Sequence, residues 1–129
     1  MASKLTEVAI DCADPRALAA FWCSVLGYEV QFEDDEIITI GSPDVPEGKD
    51  RLGPVPPRLT FAPVPEGKVV KNRLHLDVNP TDREQHEEVQ RLLDLGARPA
   101  DVGQGDAVSW VTLADPEGNE FCVLAGRYP

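Results

Sequence analysis

The chain has 129 residues, 42% hydrophobic and 27% charged, the usage of a globular domain rather than a disordered one. Twelve Lys and Arg against 23 Asp and Glu give a formal charge of −11, a field that repels phosphate backbones and excludes nucleic acid as a partner. No run approaches the roughly 20 apolar residues that cross a bilayer, the opening MASKLTE has no apolar signal core, and three cysteines in no tight motif suit reduced thiols in the cytoplasm.

In chain order, Thr6 to Cys12 is a short run of apolar and β-branched residues that reads as a strand. Asp14-Pro15 is a helix start, an acceptor side chain ahead of a proline at the first helical position. Leu18, Phe21, Trp22, Val25 and Leu26 follow at helical spacing, which assigns Trp22 to the core, and Gly27 closes the helix. Glu29 to Phe32 alternates like a half-buried strand; Ile37 to Ile40 and Arg58 to Ala62 are the next two. Between them lies the segment 41–57, whose five prolines and three glycines forbid regular structure and leave a surface loop or a lid.

The second half repeats the plan. Arg73 to Val78 reads as a strand, and Thr81 with Glu84 as a capping box ahead of a helix. Val89, Leu92, Leu93 and Leu95 form that helix's apolar side before Gly96. A weak strand near 97–102 follows, then Val108 to Leu113 and Phe121 to Leu124, joined by the turn Asp115-Pro116-Glu117-Gly118-Asn119. Gly27 to Gly96 is an offset of 69 residues and Asp14 to Asp82 one of 68, so the chain reads as two βαβββ modules. Module one spans 4–63, module two 71–126 and the linker 64–70, together one α+β domain over 1–129.

The paired modules, the helix Leu18-Ala19-Ala20-Phe21-Trp22 through Leu26-Gly27, and the Asp115 to Asn119 turn resemble the vicinal oxygen chelate superfamily, which includes glyoxalase I, bleomycin-resistance proteins and extradiol dioxygenases. Val69 to Asp77 and Gly118 to Val123 resemble its actinobacterial-type glyoxalase-like subgroup. The resemblance implies curled mixed sheets around a cleft, a small organic ligand and a homodimer. It does not imply one reaction, because function belongs to the site rather than the scaffold.

Metal-using members of that superfamily take ligands from equivalent strands of both modules. Those places fall here on Glu7 and His75, 68 residues apart, and on Cys122 and Ala62. Glu7 and His75 are competent ligands, but a thiol and a methyl group break the hard-oxygen set. The expected site therefore holds an organic ligand with no metal cofactor. If a metal does bind, Glu7, His75 and Cys122 with one water would suit zinc. Strand alternation puts Asp11 on the face of Glu7 and Asp77 on that of His75, with Leu74, Leu76 and Val78 turned to the helix. The ligand-binding set is then Glu7, Asp11, His75, Asp77, Cys122 and Trp110, with Trp110 assigned to the cleft or the dimer seam. Glu7 and His75 are the catalytic candidates. They would serve a metal-dependent lyase or isomerase of glyoxalase type, or a metal-free enzyme with Glu7 as general base. Cys12 and Cys23 have no neighbouring base, and His86 reads as a surface residue.

Overall fold

A computed structural model describes residues 2–45 and 53–129; the core of the 41–57 loop, 46–52, lies outside the described residues. The chain divides into two compact units, Met1–Gly67 and Lys68–Pro129.

In the first unit β1 (Glu7–Cys12) leads to α1 (Pro15–Leu26), β2 (Glu29–Glu33), β3 (Ile38–Gly41) and β4 (Arg58–Pro63). The mixed sheet has the order β1-β4-β3-β2, with β1 parallel to β4 and the other pairs antiparallel. The helix forms where the sequence marks it. Asp14 accepts from Ala17 N at 3.2 Å, Pro15 opens the first turn, and Gly27 takes the left-handed φ of 66° that releases the chain. Its stripe of Leu18, Phe21, Trp22 and Val25 is buried, with Phe21 and Trp22 edge to face at 5.3 Å. Alternation places Leu59 and Phe61 on one face of β4 and Thr60 on the other, where its hydroxyl meets that of Thr39 at 2.8 Å.

Strand β2 departs from expectation. The pairing register shifts at Gln31, so the alternation no longer hides the apolar residues, and Val30 and Phe32 are exposed on an edge strand. The Gln31 amide instead donates to Ser42 O and Val45 O, at 3.2 and 3.1 Å, holding the start of the loop.

The second unit runs β5 (Leu76–Val78), α2 (Gln85–Leu95), β6 (Arg98–Pro99), β7 (Val111–Ala114) and β8 (Glu120–Val123), with sheet order β5-β8-β7-β6. The order of the first sheet is reproduced, parallel pair included. Three local expectations shift. Helix α2 is N-capped by Glu84, which shares a reciprocal capping box with Glu87, so neither Thr81 nor Asp82 caps it. Strand β5 begins only at Leu76, which leaves Leu74 86% exposed rather than turned to the helix. The strand expected from Val108 begins at Val111, and Trp110 stands in the bend before it.

Helix α2 buries Leu92 and one charged residue, Glu88. The Glu88 carboxylate is held by a fork from Arg91, at 2.7 and 2.8 Å, with Arg83 3.9 Å away. Glu88→Ala is expected to lower stability by about 2 kcal/mol, because the guanidinium loses its acceptors and the site its filling; urea midpoints of the two proteins check this. Among the described residues no helix is long and apolar enough to cross a membrane.

Candidate functional site

The site is built on the parallel pair β5 and β8. Leu76 pairs with Phe121 and Asp77 with Cys122. Leu76 and Val78 are half-buried while His75 and Asp77 are exposed on the opposite face, as a period of two requires. His75 Nδ1 lies 3.0 Å from Asp77 Oδ1, and Cys122 Sγ is hydrogen-bonded to Thr112 Oγ1 at 3.7 Å on β7. These groups line a cavity of about 400 Å³ that Trp110 and Lys71 also border. Trp110, expected in the cleft or at the dimer seam, lines this cavity.

The β7–β8 turn fixes Cys122. Asp115 is fully buried and accepts from Glu117 N and Asn119 N, both at 2.9 Å, and from the Asn119 side chain. The other side of the cavity is held by a clamp that no sequence pattern marks. Glu120 accepts from Lys68 Nζ at 2.8 Å and from Asn72 N at 3.1 Å, and Asn72 Nδ2 donates to Asn119 Oδ1 at 3.0 Å. Lys71 sits inside that clamped segment.

Burial alone would raise the Glu120 pKa, yet the hydrogen bonds from Lys68 and Asn72 outweigh it and hold the carboxyl below the ordinary glutamate range. A depressed folded-state pKa stabilises above the unfolded value and is lost as pH falls through the folded one. The stability advantage of the native chain over Glu120→Gln is thus expected to be full at pH 7 and to shrink below about pH 4.5, measured as paired urea midpoints. Cys122 moves the other way: burial, then the Asp77 charge, push its thiol up. A protonated thiol beside a carboxylate is a poor nucleophile, so cysteine catalysis is not what this cluster offers. Cys23 is likewise raised by burial, and Cys12 and Cys122 are buried and free of disulfides. His86 is exposed on α2.

In the first unit Glu7, Ala9 and Asp11 share the exposed face of β1. Glu7 pairs across the parallel ladder with Arg58, whose Nη2 lies 3.8 Å from Glu7 Oε1. Asp11 stands opposite Ala62. The structure brings His75, Asp77, Cys122 and Trp110 to one cavity of the second unit, and places Glu7 and Asp11 on the first unit's outer strand.

The two registers also align the modules. Thr39 and Thr60 bond across β3 and β4 as Thr112 and Cys122 do across β7 and β8. Thr60 pairs with Ala9 and Cys122 with Asp77, 68 residues on, which sets His75 on Glu7. The first-module counterpart of Cys122 is then Thr60, where Ala62 was expected; neither is a carboxylate.

Tandem βαβββ units of this topology are the fold seen in glyoxalase/bleomycin resistance/dioxygenase proteins. The glyoxalase-like domain family matches residues 7–124, and the chain belongs to it. No curated protein matches its sequence. Solved structures share the fold at low identity. A glyoxalase/bleomycin resistance protein/dioxygenase family enzyme from Burkholderia phytofirmans PsJN is 16% identical with a TM-score of 0.65, covering 94% of this chain and 97% of its own. A glyoxalase-related enzyme from Fulvimarina pelagi is 17% identical with a TM-score of 0.62, covering 95% and 87%. A point mutant of the genomically encoded fosfomycin resistance protein FosX from Listeria monocytogenes, complexed with Mn(II) and 1S,2S-dihydroxypropylphosphonic acid, is 14% identical with a TM-score of 0.70, covering 98% and 94%.

Manganese and magnesium favour oxygen ligands. Among the described residues one group could hold a cation, His75, Asp77 and Cys122, whose ligand atoms lie within 4.8 Å of one another. One nitrogen, one oxygen and one buried thiol do not fit a hard divalent ion. They are the donor set of a borderline ion such as zinc.

Proposed function

We propose that this chain is a small-molecule-binding glyoxalase-like protein, one domain over residues 1–129, that holds an organic ligand in the cavity of its second unit without a metal ion. It is further read as a cytoplasmic homodimer of the actinobacterial-type subgroup, with nucleic acid and membranes excluded as partners. The observation that carries the reading is the cavity of about 400 Å³, where apolar wall and converging His75, Asp77 and Lys71 surround a thiol at the strand position of a metal-ligating carboxylate. His75 Nδ1 and Asp77 Oδ1 already engage each other, and Cys122 Sγ is hydrogen-bonded to Thr112 Oγ1.

The test is a thermal-shift panel of aromatic natural products and thiol conjugates on metal-free protein. A ligand at a hundredfold excess over its Kd is expected to raise Tm by about 10 °C. A panel that leaves Tm unmoved contradicts the reading. Should any member be turned over, His75→Ala and Glu7→Gln are expected to abolish the turnover, and full activity in either variant removes that residue from the chemistry.

The three donors within 4.8 Å favour a second reading, zinc on His75, Asp77 and Cys122 with a position left open to ligand. Bound zinc would supply Lewis-acid polarisation of a ligand oxygen. Stoichiometric zinc in protein purified without chelator, lost in His75→Ala, would establish it over the first reading.

A further inference from the structure

Each carboxylate of the cavity is paired with a side chain: Asp77 with His75 at 3.0 Å, a pair charged on both sides only when the imidazole is protonated, and Glu120 with Lys68 and the Asn72 amide. The cavity's lysine is not. The Lys71 ammonium donates to the backbone oxygen of Asn72 at 3.2 Å, and among the described residues no carboxylate lies within ion-pair distance of it. Arg73 and Arg98 also lack a carboxylate partner among the described residues, but neither lines the cavity. Arg16, Arg58, Lys68, Arg83, Arg91 and Arg127 each have one. Lys71 is also held where it is useful, because the Glu120 clamp fixes the residues on both sides of it.

The second feature is Trp110. It lines the same cavity yet keeps 40% of its surface exposed, in a bend where nothing in the ladder requires an indole. A large rigid ring with open surface in a concave site is an anchor for flat apolar ligands. Val102 and Leu124 extend the apolar wall.

We infer that the ligand is a small aromatic carboxylate, its ring set against Trp110 and its acid group answered by Lys71. This rests on reading the cavity as a small-molecule site, and it adds the chemical class and the two residues that select it. A cationic ligand would meet Lys71 in the cavity and would compete with Lys68 for Glu120. About 400 Å³ suits one or two fused rings with an acid group.

The probes are 1-naphthoate, its neutral amide 1-naphthamide and cyclohexanecarboxylate, titrated by calorimetry in low salt. The acid is expected to bind about fivefold more tightly than the amide, the difference one partly exposed ion pair makes, and to lose that margin in 0.5 M salt. Lys71→Met keeps the apolar stem of an exposed side chain, so folding is spared. It should bring the acid down to the amide's affinity while leaving the amide unchanged. Trp110→Ala should weaken acid and amide alike by tenfold or more, and cyclohexanecarboxylate should bind worst to the native protein. An acid-to-amide ratio unchanged by Lys71→Met overturns the inference, as does an amide that binds as well as the acid. If the thermal-shift panel yields ligands but none of the naphthyl compounds binds, the inference falls and the small-molecule reading stands. If nothing binds in either experiment, both fall.

Discussion

Trp22→Ala is expected to remove about 4 kcal/mol of stability, the largest single loss in the chain. Trp22 is 1% exposed on the buried stripe of α1 beside Leu18, Phe21 and Val25. Deleting the indole removes its transfer energy and leaves a cavity that α1, pinned at Asp14 and Gly27, cannot collapse into. The edge-to-face contact with Phe21 is lost as well. Trp22→Phe should cost about half as much, because most of the volume remains. Urea unfolding followed by circular dichroism reads both. A loss below about 1.5 kcal/mol for the alanine variant would mean that the stripe is not the core of the first unit.

Asp115→Ala is expected to cost about 3 kcal/mol, a large effect for a turn residue. The carboxylate is fully buried and accepts two backbone N–H groups and the Asn119 amide within one tight turn. Alanine leaves those donors without an acceptor inside the fold, the expensive direction for a hydrogen-bond change. Asp115→Asn retains one acceptor oxygen and should cost about 1 kcal/mol. The effect should also reach the site, because the turn sets the register of Cys122 against Asp77 and Thr112. Amide exchange would show it as faster exchange along β7 and β8 of the alanine variant, and unchanged protection there would separate the turn from the site.

What the sequence makes legible is local or periodic. Asp14, Pro15 and Gly27 act within a few residues of themselves, and α1 lies where they put it. The alternation of His75 and Asp77 needs only a period of two, and the turn chemistry of Asp115 to Asn119 fixes how far Cys122 lies along its strand. The start of α2 was ambiguous because both Thr81 with Glu84 and Glu84 with Glu87 satisfy a capping spacing, and the chain uses the later one. Strand β2 misled because an edge strand with a shifted register keeps its pattern without burying it. Lys71 and the clamp around it were illegible for a different reason. They depend on contacts between Lys68 or Asn72 and Glu120, 52 and 48 residues apart, and no spacing rule reaches that far. The same holds for the pairing of Asp77 with Cys122, which only the parallel ladder reveals.

The most direct test of the account is a pair of calorimetric titrations with the strongest ligand found by thermal shift on protein purified without chelator, one on that protein stripped by EDTA and one on the stripped protein given an equivalent of zinc or manganese. An organic site that works by hydrogen bonding and an apolar wall should return the same Kd, within about twofold, in both. Heat that vanishes after stripping and returns with one equivalent of metal would show that a cation, held where His75, Asp77 and Cys122 meet, does the binding instead.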